Sequence, residues 1–161
     1  MKRYIKVVPF EEHEAVNFYS LIIDNNKDCE MIRLTSSLMK SGYASDIGII
    51  AGILSRIGGN KTGAEERYFR PAGRRADNVW ELPPHYLVNT KLRLYCLRYG
   101  NSILVLGNGG IKNTRTYQED PHLNSCVEIL QQTDAQISEY LRTGEIQIIG
   151  KQIIGKLNFY I

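Results

Sequence analysis

Gly107-Asn108-Gly109-Gly110, followed after Ile111 by Lys112, is the stretch of this chain that most invites a chemical reading. Glycines ahead of a lysine can cradle a phosphate, turn the corner of a sheet, or end a buried strand so that the amine meets a substrate. A nucleotide-triphosphate loop needs glycine directly before the lysine and serine or threonine directly after it. Ile111 and Asn113 occupy those places, so that reading is set aside. The other two stay open, because a strand that bends or passes close to another backbone also recruits glycine.

The charge pattern points to an anionic partner. Between Arg56 and Arg115 eleven basic residues face four acidic ones, a surplus of seven positive charges in a chain whose total is only +3. A basic middle in an otherwise acidic chain suits a polyanion, nucleic acid above all, and a solvated loop face is the plainer explanation. Arginine offers phosphate a planar fork that is always charged, and aromatic rings can stack on unpaired bases.

Other chemistries find less support. His13, His85 and His122 are scattered, and none has a carboxylate or thiol at a spacing that suggests a nucleophilic triad. Cys29, Cys96 and Cys126 lie far apart without a CxxC pair, which predicts reduced thiols, a cytoplasmic setting, and no metal or other cofactor. The basic N-terminus lacks the apolar stretch of a signal peptide, and Ile47 to Ile57 is too short to cross a membrane.

The elements that must position these residues read as an α+β fold in one domain spanning 1–161. Tyr4 to Pro9 alternates like a strand. Glu11 to Ile23 is predicted as a helix, from Ala15, Phe18, Tyr19, Ile22 and Ile23 at spacings of three and four. Two further helices, about Asp28 to Lys40 and from Ser45-Asp46 to Gly58-Gly59, form a hairpin. Short strands follow at Glu66 to Arg70 and Asn78 to Leu82. Then Leu92 to Tyr99 and Ile103 to Leu106 join through Gly100-Asn101 in an antiparallel meander. Asp120-Pro121 opens a helix that runs to about Thr143-Gly144, and the extension 144–161, with its repeated "IIGK", is expected as a hairpin or an addition to a sheet edge. Helices on one side of a curved antiparallel sheet are the expected layers.

Arg93-Leu94-Tyr95-Cys96-Leu97, the Gly-Asn turn, Ile103-Leu104-Val105-Leu106, and the small-residue bend into Ile111-Lys112-Asn113-Thr114 resemble the core hairpin of RelE/ParE-superfamily toxins, the HigB-like branch most of all. Asn78-Val79-Trp80-Glu81-Leu82 is similar to the "LWELR" strand that precedes that hairpin. The chain departs from the pattern at Pro83, where an arginine would stand, at Asn113, where a second lysine would stand, and at Ile111, where an aromatic would stand. The resemblance implies a RelE-like fold with an N-terminal strand and helical hairpin on the sheet, plus an extra C-terminal helix and tail.

It also implies a function: the toxin of a bacterial toxin–antitoxin pair, cutting messenger RNA, free or on the ribosome, without a metal. Such a cut drives a 2′-hydroxyl onto the neighbouring phosphate and needs a base, cationic donors and an acid. Lys112 is then the candidate base or phosphate clamp, Arg93 the stabiliser of the transition state, and Tyr95 a stacking or proton-transfer residue. Arg67, Arg70, Arg74, Arg75 and Tyr117 are candidate RNA contacts. Plainer roles stand beside these: Lys112 as a solvated strand end, Arg93 as the cross-sheet partner of Glu81, Tyr95 as packing. The implied partner is a cognate antitoxin that covers the basic sheet face and adds its chain to the edge strand or a groove. A RelE-like fold that binds a protein target without cutting RNA, or a nucleic-acid-binding regulatory module, are the alternatives.

Overall fold

A computed structural model describes residues 2–74, 76–84, 87 and 89–161. Nine strands and three α-helices are present among them. Strands β1 (Tyr4–Glu12) and β2 (Asn17–Ile23) come first, then helices α1 (Glu30–Lys40) and α2 (Ala44–Gly59). Strands β3 (Arg70–Pro71), β4 (Val79–Leu82), β5 (Leu92–Tyr99) and β6 (Ile103–Ile111) lead to helix α3 (Pro121–Thr143). The chain closes with β7 (Ile146–Ile149), β8 (Gln152–Gly155) and β9 (Asn158–Tyr160). Seven strands make one sheet in the order β3-β4-β5-β6-β2-β1-β9, while β7 and β8 pair separately. The fold is α+β.

The segment expected as a helix from Glu11 to Ile23 is instead the end of β1, a turn, and β2. Apolar residues at nearly every position of 16–23 satisfy a helical stripe by default. A strand covered on both faces carries the same continuous apolar run, and aromatic and β-branched side chains favour it. Strand β2 is that case. Tyr19, Leu21 and Ile23 belong to one core cluster, Phe18 to the other. It lies parallel to β6, from Asn17 opposite Ile103 to Ser20 opposite Leu106, so the sheet is mixed rather than wholly antiparallel. The buried Ser20 hydroxyl donates to Leu106 O at 2.7 Å and accepts from Met31 N at 3.2 Å, tying β6 and α1 to this central strand.

The helices also take both faces, not one. Leu34, Ile50, Leu54 and Ile57 of α1 and α2 pack against Leu92, Leu94, Cys96 and Leu104. Leu123, Val127, Leu130 and Ile137 of α3 pack against Tyr95, Leu97, Tyr99 and Val105. Alternation along β5 therefore divides as its sequence pattern predicts, but each side meets a helical layer. Asp120 caps α3 by accepting from His122 N and Leu123 N, with Pro121 at the first turn, and Gly144 ends the helix in a left-handed conformation at φ 83°.

Two smaller expectations also change. Glu66–Tyr68 is a single 3-10 turn rather than a strand, and only Arg70–Pro71 pairs with β4. Tyr68 and Phe69 both enter the core beside α1 and α2, which consecutive residues of a flat strand cannot do. The tail does both things open to it: β7 and β8 form a hairpin, and β9 adds to the sheet edge beside β1.

Candidate functional site

The glycine cluster lies inside β6 and not beyond its end. Leu94 faces Gly109 while Cys96 faces Leu106, so β6 carries one extra residue across this step, a β-bulge. A Cβ on Gly109 would sit 1.9 Å from the Arg93 carbonyl oxygen, and one on Gly107 would meet both the Tyr95 carbonyl oxygen and Leu130 Cδ1 at 3.0 Å. The glycines thus let β5 and α3 close in on the bulge. Beyond it the strand continues until Lys112 N donates to Lys91 O at 2.7 Å. Of the readings left open for the cluster, the sheet irregularity is the one its geometry fits.

Near this end of the sheet, beside the N-terminus of α3, is a small cleft of about 190 Å³. Arg70, Glu81, Lys112, Arg115, Thr116 and Tyr117 line it. Arg70 comes from edge strand β3, and Glu81 is its register partner on β4. Lys112, Arg115 and Tyr117 come from the segment between β6 and α3. That segment is held by hydrogen bonds of its own: Thr114 Oγ1 donates to Thr116 O at 2.6 Å, and Arg115 N donates to Glu119 Oε2 at 3.2 Å.

Glu81 is the buried charge of this site, only 4% exposed. Arg93 Nε stands 3.7 Å from its Oε2. Burial raises the Glu81 carboxyl above its ordinary pKa, and the opposing pull of Arg93, Lys112 and Arg70 does not cancel that effect. Arg93 is otherwise engaged with its own strand end, donating from one terminal nitrogen to Thr90 O at 2.6 Å and to Leu92 O at 2.9 Å. Tyr95 is the register partner of Glu81 on β5 and is completely buried. Its ring meets Tyr117 edge-on with centroids 6.1 Å apart, and burial pushes its phenol pKa far up.

The residues singled out from sequence therefore separate. Lys112, Arg70 and Tyr117 open on the cleft, and Arg93 stands behind Glu81 at its inner edge. Gly110 is the register partner of Arg93 and Lys112 follows two residues later, so Arg93 and Lys112 lie on the same side of the sheet. Helix α3 packs over that side of the sheet, and the cleft lies at its end. Tyr95 packs beneath and does not line the opening. Arg67 lies over the Tyr68 ring, near the other core, and pairs with Glu65 at 3.5 Å. Arg74 borders a different depression, among Asp77, Glu128 and Asp134. Arg75 lies outside the described residues, as does His85.

Sequence reasoning missed Glu81 as a member of the site and Arg115 as a cation lining it. Glu81 was visible only as a partner for Arg93. An acidic residue inside a strand whose neighbours Val79 and Leu82 are apolar was the available signal, because a lone buried carboxylate is costly without a purpose or a partner. Among the described residues no group of three or more His, Cys, Asp or Glu side chains is placed to hold a metal ion. No helix among them is long and apolar enough to cross a membrane. No protein family, curated protein or solved structure matches the chain.

Proposed function

We propose that this protein is a metal-independent endoribonuclease of the RelE-like toxin kind, and that the cleft between β3 and α3 seats the scissile phosphate of single-stranded RNA. The observation that carries this reading is the convergence of Arg70, Lys112 and Arg115, from separate parts of the chain, on one opening that also contains Tyr117. Three cations around a small cleft suit the phosphorane of an in-line transesterification, and an aromatic at its rim suits an unpaired base. Element order supports it too: β2, helices α1 and α2, the antiparallel strands β4 to β6 and helix α3 follow the order the sequence resemblance implies, with β1 added between β2 and β9. The partner in this reading is a cognate antitoxin whose acidic groups cover the cleft and whose chain pairs with edge strand β3.

The engagement of Arg93 with Glu81, Thr90 and Leu92 and the burial of Tyr95 favour a second reading. Two of the three candidate catalytic groups are already committed inside the protein, as they would be in a RelE-like fold that binds a protein target and leaves RNA intact. Expression of wild type and of an Arg70→Ala/Lys112→Ala double variant in bacteria, with mapping of RNA ends, separates the two. Growth arrest with new RNA ends for wild type alone supports the nuclease. Arrest by both proteins without new ends overturns it in favour of protein binding, and no arrest by either overturns both.

A further inference from the structure

Glu81 occupies the position in the cleft from which a proton could be taken. It belongs to β4, so the backbone ladder to Arg70 and Tyr95 holds its side chain in one place. It lines the opening while being 4% exposed, which keeps it from being levelled by bulk water. Its surroundings are asymmetric. Arg70 approaches from β3, Arg93 and Tyr95 from β5, Lys112, Arg115 and Tyr117 from the segment before α3, and α3 brings Cys126 near Tyr95. Among the described residues Glu81 is the one carboxylate lining the cleft, with Asp77 and Glu128 near Tyr117 at its rim. The buried Tyr95 hydroxyl and Arg93 Nε have no hydrogen-bond partner among the described residues. At 3.7 Å the Arg93–Glu81 ion pair is longer than a hydrogen bond, so the carboxylate keeps acceptor capacity for a further donor.

Resting on the ribonuclease reading, we infer that Glu81 is the general base of the cleft and Lys112 the general acid. The Glu81 carboxylate accepts the proton of the ribose 2′-hydroxyl. The 2′-oxygen forms a bond to phosphorus as the bond from phosphorus to the 5′-oxygen breaks, with Arg70 and Arg115 holding the equatorial oxygens. The departing 5′-oxygen takes a proton from the Lys112 ammonium, leaving a 2′,3′-cyclic phosphate and a free 5′-hydroxyl. Water then passes the proton from Glu81 back to Lys112, so nothing is consumed but the RNA. This assigns the base to a carboxylate that lines the cleft and that burial raises above its ordinary pKa, and relieves Lys112 of a task for which a free ammonium is poorly matched.

The test uses the full chain with a 5′-labelled single-stranded RNA of mixed sequence, free and on translating ribosomes. Wild type, Glu81→Gln and Glu81→Asp are compared over pH 4.5 to 9. A 2′-deoxy strand of the same sequence reports binding, and thermal melting reports folding. Wild-type cleavage rises with pH through the Glu81 titration. Glu81→Gln loses about 100-fold or more and loses that rising limb. It binds the 2′-deoxy strand as wild type does, and Glu81→Asp recovers part of the rate with its limb. Cleavage by Glu81→Gln at the wild-type rate and profile overturns the base assignment and leaves the nuclease reading in place. A Glu81→Gln variant that melts early and no longer binds the 2′-deoxy strand shows a structural carboxylate and overturns the assignment as well. Wild type that cuts neither RNA overturns the nuclease reading itself, and this inference with it.

Discussion

Arg93 reaches Glu81 diagonally from β5 to β4 at 3.7 Å, with the carboxylate side chain 6% exposed, and the guanidinium still does not hold the carboxyl at its ordinary pKa. Desolvation outweighs the nearest attraction. The pair is therefore a place where folding works against ionisation.

The pH dependence of stability follows from that sign. The folded-state pKa of Glu81 is raised above its ordinary 4.5, so its favourable contribution is whole below pH 4.5 and is lost as pH rises through the folded value. Glu81→Gln removes this loss. The stability difference between Glu81→Gln and wild type shifts in favour of the variant as pH rises from about 4.5, then levels off. Urea unfolding of both proteins from pH 4 to 8 checks it, and parallel curves would refute it.

Asp134, buried on α3, accepts from Tyr99 Oη at 2.8 Å, from Asn78 N at 3.1 Å and from Asn78 Nδ2 at 2.9 Å. One carboxylate joins α3 to β5 and to the start of β4. Asp134→Ala leaves the buried Tyr99 hydroxyl without its acceptor and costs about 3 kcal/mol, read from the denaturation midpoint.

Gly109→Ala is expected to be among the most damaging single-methyl additions in the chain. The new Cβ would sit 1.9 Å from the Arg93 carbonyl oxygen, a backbone atom that cannot rotate away. Reopening the bulge costs about 2 to 4 kcal/mol. Because β6 runs directly into Lys112, which lines the cleft, the proposed RNA binding weakens along with thermal stability.

Tyr95→Phe separates packing from chemistry. The hydroxyl is buried without a hydrogen-bond partner among the described residues, so its removal leaves stability unchanged or raises it by about 1 kcal/mol. On the ribonuclease reading, cleavage by this variant matches that of wild type, since the ring does not line the cleft. A 100-fold loss of cleavage without loss of stability would return Tyr95 to the chemistry.

Local rules were legible where the chain is locally consistent. Asp120-Pro121 and Gly144 mark both ends of α3, and Gly100-Asn101 joins β5 to β6. The alternation of Leu92, Leu94 and Cys96 against Arg93, Tyr95 and Leu97 reads directly as two faces of a strand. The segment 11–23 misled because periodicity discriminates only when one face is polar, and β2 has no polar face. The antiparallel expectation failed for a related reason: pairing of β2 with β6 joins residues more than eighty positions apart, and no turn announces it.

Residue types, the basic middle of the chain and the ends of most elements were set by the sequence itself, since caps, turns and alternation act within a few residues. Which cations meet was decided by the tertiary structure alone. Arg70, Lys112 and Arg115 converge on the cleft that holds Glu81 because β3, β4 and the segment before α3 meet at one corner of the sheet. Arg67 and Arg74, equally basic and closer to Arg70 in sequence, are carried to other surfaces. The burial that raises Glu81 has the same origin, because desolvation depends on what the whole fold packs around a side chain and not on its neighbours along the chain.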